Sequence, residues 1–408
     1  MWCLMPSGPS ISITAHHNFR AGVTLFAYGF RPFFLLAGIF AAVALPLSLA
    51  FYLGFGGDWL GDWPPGLFHA HEMIFGYTVA VIAGFLLTAA PGWQKTPPLT
   101  GGGLALLAFI WLAGRLALWS AGLIPPWMAA LVDLSFIPAL MVIGLPQLWA
   151  LRAKRHGVFL VILGLMFAAN GLIHAATAGY LDSALGLNLA VGILVLLITI
   201  LGGRVAPGFT KGALKAAGLS DAVKTSPRLA VLAIAVVSLM IVADGAATLW
   251  PQWPGLDLFA ALTALAAAAI SIWRMAGWAT RHVLDKPIVW VLHLGYGWLA
   301  LGLALKGFGG LGWLDAASAT HGFTIGAVGT MTLAIMTRAA LGHTGRPLIA
   351  TPLTVAAYLL VSLAAIARVV GTEAAMMLAA SAWTAAFVGF TIVYAPIFLK
   401  PRPDGQPG

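Results

Sequence analysis

The chain has 408 residues, of which 61% are hydrophobic and 8% charged, and its formal net charge is +9. A soluble domain carries about 25% charged residues, so the bulk of this chain must face lipid, and no hydrophilic stretch is long enough to form a separate soluble domain. In a polytopic protein a basic balance reflects the Lys and Arg retained in cytoplasmic loops, which removes nucleic acid as its explanation.

The first 29 residues mix Ser, Thr, Gly and His with Arg20. They lack a basic start followed by an apolar core, so no cleavable signal peptide is expected. Cys3 is the chain's one cysteine, which rules out an intrachain disulfide or a Cys-ligated cluster. Segments of about 20 mostly apolar residues, the length that crosses a bilayer, follow near 31–54, 67–91, 103–122, 127–150, 157–178, 186–206, 228–249, 256–278, 287–306, 318–340, 350–370 and 374–398. The predicted architecture is an all-α integral membrane protein of about twelve transmembrane helices. A segment 1–29 precedes a membrane domain 30–400, and a tail 401–408 follows.

Charge sets the expected orientation. Alternate connections hold Lys95; Arg152, Lys154 and Arg155; Lys211, Lys215, Lys224 and Arg228; Arg274, Arg281 and Lys286; and Arg346. Arg20, Lys400 and Arg402 fall on the same side. The opposite connections hold Asp58, Asp62, Asp182, Asp257 and Asp315. This bias places both termini in the cytoplasm. Trp59, Trp63, Trp127, Trp250, Trp253 and Trp313 are expected at the outer interface, where amphipathic rings are favoured.

The second, sixth and tenth spans echo one another. Gly76, Ala90, Pro91 and Gly92 align with Gly192, Ala206, Pro207 and Gly208 at an offset of 116; Arg204 aligns with Arg338, and His71 with His321. The spacing implies three four-helix units, at about 30–150, 157–278 and 287–398, arranged as parallel repeats about the membrane normal.

Histidine inside a bilayer is costly unless paired, ligating or wet. His69, His71, His174 and His321 fall at one depth toward the outer face. His69 and His71 are two residues apart and cannot share a helical face. His71 is open to three readings: a water-bonded interfacial group, a metal ligand, or part of a proton or substrate gate. Asn170 stands one turn before His174, and it or Glu72 suits the orienting of a ligand. His293 lies deeper, with Tyr296 one turn on. Arg115 and Asp133 form an expected intramembrane ion pair. Arg204 and Arg338 at inner helix ends are candidates to hold a propionate or a phospholipid head group, or to snorkel to the interface. Phe75 stands where H-E-x-x-H needs its second histidine, and the Gly307–Gly312 match to G-x-G-x-x-G follows no strand, so a zincin and a dinucleotide site are both rejected.

Phe30-Arg31-Pro32-Phe33-Phe34-Leu35, His69-Ala70-His71-Glu72-Met73-Ile74-Phe75-Gly76, and Gly326 to Leu333 with Thr337-Arg338-Ala339 and Leu341-Gly342-His343-Thr344-Gly345-Arg346-Pro347 resemble the NnrS family. The resemblance covers about residues 20–400. It implies a bacterial inner-membrane protein that contains haem and copper and takes part in the response to nitric oxide during denitrification or nitrosative stress. It supplies no settled enzymatic activity, electron donor or haem type. On this resemblance His71 and His321 are expected as axial haem ligands, and His69 and His174 as copper ligands or distal groups. His293 remains a further metal candidate. The layout also resembles the catalytic subunit of haem-copper oxidases, where haem lies between the second and tenth spans. The sixth and seventh spans here lack the histidines that hold the oxidase copper, and Leu187 stands at the sixth-span position equivalent to His71 and His321. The competing reading is a transporter or channel with an intramembrane His and charge site.

Overall fold

The computed structural model describes residues 24–144 and 157–406. Cys3, Arg20, Arg152, Lys154 and Arg155 lie outside them. Twelve described helices are long and apolar enough to cross a membrane: α1 (Phe30–Tyr52), α2 (Pro65–Trp93), α3 (Gly102–Trp119), α4 (Pro126–Ile143), α5 (Val158–Thr177), α6 (Ser183–Ala217), α7 (Pro227–Leu249), α8 (Gly255–Ala276), α9 (Pro287–Gly310), α10 (Ala316–His343), α11 (Pro352–Val370) and α12 (Glu373–Leu399). No strand occurs among the described residues. The chain is an all-α multi-pass membrane protein.

Neighbours in sequence are neighbours in space, and α12 packs back against α1. The helices therefore form a closed ring. α6 also packs against α9 and α10, and it touches the start of α2. Burial separates the inner helices from the ring: 83% of the apolar window of α2 is buried, against 22% for α7. A helix apolar all round but exposed on most of its surface faces lipid, whereas one equally apolar and enclosed forms the core. α6 runs past the predicted limit at 206 to Ala217, so Lys211 belongs to helix rather than loop.

Capping explains several starts. Asp182 Oδ1 accepts from the Ala184 amide (2.8 Å), and Asp315 Oδ2 from the Ser318 amide (2.9 Å). Each satisfies an orphan donor in the first turn of α6 or α10. Arg31 does the same for a helix end. Its buried guanidinium donates to the carbonyls of Phe398 (2.8 Å) and Lys400 (2.9 Å), closing the C-terminus of α12 onto α1. Pro207 has no N–H for the Gly203 carbonyl. That oxygen instead accepts from Arg274 Nη2 (3.4 Å), whose Nη1 donates to Tyr296 Oη (2.6 Å).

α2 and α10 share a feature absent from α6. Immediately after His71, α2 widens into π-helix over Glu72–Thr78. Immediately after His321, α10 does so over Gly322–Gly329. π turns free backbone groups and shift side chains around the axis, and they are frequent at functional sites. Here the Gly76 carbonyl accepts from Trp111 Nε1 (3.0 Å), and Thr78 Oγ1 donates to the Met73 carbonyl (2.8 Å). Both π segments need a glycine. A Cβ on Gly76 would lie 2.5 Å from Phe40, and one on Gly326 2.5 Å from Trp298.

Candidate functional site

An α-helix turns about 100° per residue, so His69 and His71 leave α2 on nearly opposite faces. Each meets a different environment.

His71 faces α3, α4 and α5. Its Nδ1 lies 3.1 Å from Glu72 Oε1, and its Nε2 lies 2.7 Å from Asn170 Oδ1 and 3.2 Å from Asp133 Oδ2. Asp133 Oδ2 also accepts from Asn170 Nδ2 (2.8 Å) and His174 Nε2 (2.9 Å). Arg115 bridges the two acids, donating to Glu72 Oε1 and to Asp133 Oδ1. Trp119 Nε1 donates to Glu72 Oε2 (2.5 Å). Asp133 is the last acid before a break in α4 at Ser135, where Pro138 has no N–H to offer the Leu134 carbonyl. The group is buried, from 0% exposure at His71 and Glu72 to 8% at His174. Trp63 packs edge-on to both imidazoles, at 5.1 and 5.3 Å between centroids. It is buried rather than interfacial, unlike Trp59, Trp127, Trp250, Trp253 and Trp313.

Two carboxylates and one guanidinium leave one negative charge to be balanced in a low-dielectric setting, where an uncompensated charge is expensive. A second proton on His71 balances it. So does a cation, because one ligand atom from each of His71, Asp133 and His174 lies within 4.8 Å of the others. Two imidazoles and a carboxylate suit a first-row transition metal. The Nδ1 contact to Glu72 is the carboxylate–histidine pairing that orients a ligating imidazole through its other nitrogen.

His69 faces the interior of the ring. It lines a cavity of about 470 Å³ together with His321 of α10, and it makes no hydrogen bond among the described residues. His321 Nδ1 donates to the Ala317 carbonyl (2.6 Å), which assigns the proton to Nδ1 and leaves the Nε2 lone pair available. Leu45, Ile74, Leu194, Val328 and Trp383 supply apolar wall, and Tyr77 and Thr78 supply hydroxyls. Leu187 lines the same space. Two cations reach it. Lys306 pairs with Asp244 (2.9 Å), and Arg368 makes no hydrogen bond or salt bridge among the described residues.

The structure thus brings His69 together with His321 and His71 together with His174; it does not bring His71 and His321 to one site. His293 stands apart from both groups. Its Nε2 contacts Thr210 Oγ1 (2.7 Å), its Nδ1 contacts Thr280 Oγ1 (2.8 Å), and Trp278 packs on it edge-on. Arg338 lies over the Phe209 ring at 3.8 Å, and Arg204 is exposed; neither lines the cavity. Asp244, Lys306 and Arg368 are the site residues that sequence reasoning passed over. Their signal was present: Lys306 and Arg368 are basic residues at helix ends that the charge bias reserves for acidic or neutral ones.

A bundle of twelve described spanning helices, with imidazoles, carboxylates and cations gathered on either side of an inner π-wound helix, defines a polytopic membrane protein built around buried polar sites. The chain belongs to the NnrS protein family, whose model matches residues 24–402. No curated protein matches it.

Proposed function

We propose that this protein is a haem-binding membrane protein of the nitric oxide response, with His69 and His321 holding the haem in the cavity between α2 and α10. One observation carries the reading: two imidazoles on one ligand-sized cavity, one of them with its tautomer set by a backbone carbonyl and its Nε2 free. The chemistry of the lining fits the group. The apolar walls suit a porphyrin face, and Arg368 and Lys306 suit its carboxylates. A bound haem supplies an iron centre with affinity for small diatomic ligands such as nitric oxide. The chain's own residues exclude water through Leu194, Val328 and Trp383, orient His321 through Ala317, and neutralise carboxylates through Arg368.

The buried group of His71, Asp133 and His174 is the corresponding proposal for copper, with Glu72 and Asn170 as the residues that orient its ligands. Residence in the bacterial inner membrane rests on what membership of the NnrS family implies, and the cytoplasmic placing of both termini rests on the charge bias of the connections.

The test is optical. Purified protein should show a Soret band that shifts on addition of nitric oxide. His69→Ala and His321→Ala should each abolish or strongly reduce the band, while His71→Ala should retain it. Loss of the band in His71→Ala with retention in His69→Ala would overturn the assignment. The Lys306–Asp244 pair on the same cavity favours a second reading, a solute carrier. Saturable uptake by metal-free protein in proteoliposomes would support that reading instead.

A further inference from the structure

A second, smaller cavity of about 70 Å³ adjoins the first, deeper in the bundle. The two share Thr78, Leu194 and Val328 in their walls, so these side chains stand between them. Its remaining wall comes from α2, α5, α6 and α10, including Ile82, Phe85, Ile162, Leu201, Met331 and Ile335.

Two hydroxyls border it, and both are committed. Thr78 Oγ1 donates to the Met73 carbonyl (2.8 Å). Thr332 Oγ1 contacts the Val328 carbonyl (2.6 Å) and Tyr77 Oη (2.6 Å). A water needs two to four polar partners, and a cavity without them stays dry and takes apolar guests such as xenon. The chamber holds several water-sized volumes and offers no such partner set. Phe85, Leu201, Val205 and Ile335 in its wall are partly exposed along the mid-to-basic half of their helices. The helices that carry them span the membrane by length and composition, and hydrocarbon around such helices is where small uncharged gases concentrate.

We propose that this chamber is a binding and passage site for small, uncharged, apolar molecules of the diatomic-gas class, joining the lipid phase to the histidine-lined cavity through the Thr78–Leu194–Val328 throat. As a route to a haem it rests on the function proposed above; as a gas-binding chamber it does not. The geometry makes two positions decisive. Ile162 lies on the chamber away from the throat, and Val328 lies in the throat. Ile162→Phe fills the chamber, and Val328→Phe narrows the passage at the wall that the two cavities share.

The test uses the full-length protein in detergent, with xenon as the first probe and carbon monoxide as the second. Xenon should produce saturable chemical-shift changes in methyl groups of the chamber wall, which Ile162→Phe abolishes and Val328→Phe preserves. Where Ile162→Phe does not yield folded protein, Ile162→Met serves, with a weakened xenon response. On the haem-loaded protein, carbon monoxide recombination after a light flash should be several-fold slower in both Phe variants, with the Soret band of Ile162→Phe, a residue outside the haem cavity wall, unchanged. Absence of xenon shifts at the chamber, or xenon shifts that survive Ile162→Phe, would overturn the chamber. Carbon monoxide rates equal to the parent's in both variants would overturn the passage. A protein without any Soret band would sink the haem reading alone, and the xenon result would still decide the chamber.

Discussion

His71 Nε2 lies 2.7 Å from Asn170 Oδ1, and the other end of the same amide donates from Nδ2 to Asp133 Oδ2 across 2.8 Å. The amide cannot be turned round without setting its oxygen against a carboxylate that Arg115 and His174 already hold as an acceptor. Asn170 is therefore the spacer that keeps an imidazole and an acid in register between α2 and α4. Asn170→Leu removes both contacts at constant bulk and leaves two buried groups short of a partner. The expected loss of stability is about 1–3 kcal/mol, read as a lower unfolding midpoint in detergent.

The two faces of α2 should separate in a metal assay. On the proposed assignment His71→Ala and His174→Ala each remove a copper ligand from the group that includes Asp133, so bound copper should fall while haem content holds. On the proposed assignment His69→Ala removes a haem ligand from the cavity wall, so haem should fall while copper holds. Elemental analysis alongside the pyridine haemochrome assay reads both in one preparation. Parallel loss of both metals in every variant would deny that the sites are separate.

Much of this architecture was legible because a bilayer penalises polarity so strongly. Twelve apolar stretches could hardly be anything but spans, and Arg115 with Asp133 had to be sought as a pair because either charge alone is costly. The partnering of the histidines was not legible. Positions related by a rotation, as His71 and His321 are in the proposed repeat, point in equivalent directions and not toward each other unless they face the axis. The π segments that follow both residues turn the helix further, and nothing in hydropathy marks a π turn. Trp63 shows the same limit: composition puts tryptophan at the interface, yet its ring fills the space over His71 and His174.

Arg115 holds Glu72 and Asp133 together, and it is 4% exposed. Removing the cation leaves two carboxylates buried side by side. Arg115→Met should cost about 3–5 kcal/mol, the penalty for breaking a buried ion pair from one side. Arg115→Lys keeps the charge but cannot fork between two acids, so its loss should be smaller. Denaturation midpoints of the two variants order the effects. Equal stability of Arg115→Met and the parent would mean that the group is not charged in the folded state.

Gly326 lies inside the π segment that follows His321, with Trp298 of α9 seated where its side chain would be. An added Cβ would fall 2.5 Å from Trp298 Cε3, and the indole cannot swing aside freely because its Nε1 donates to Ser362 Oγ (3.0 Å) on α11. Gly326→Ala should therefore push α9 and α10 apart, at about 1–3 kcal/mol for overpacking. Since the displaced segment begins one residue after His321, haem occupancy should fall along with the melting temperature. Trp298→Phe trims the obstructing ring. Combined with Gly326→Ala it should restore part of both losses, a coupling of about 0.5–3 kcal/mol between residues in contact. Strict additivity in the double variant would place the effect of the alanine in the π winding itself and not in the contact with Trp298.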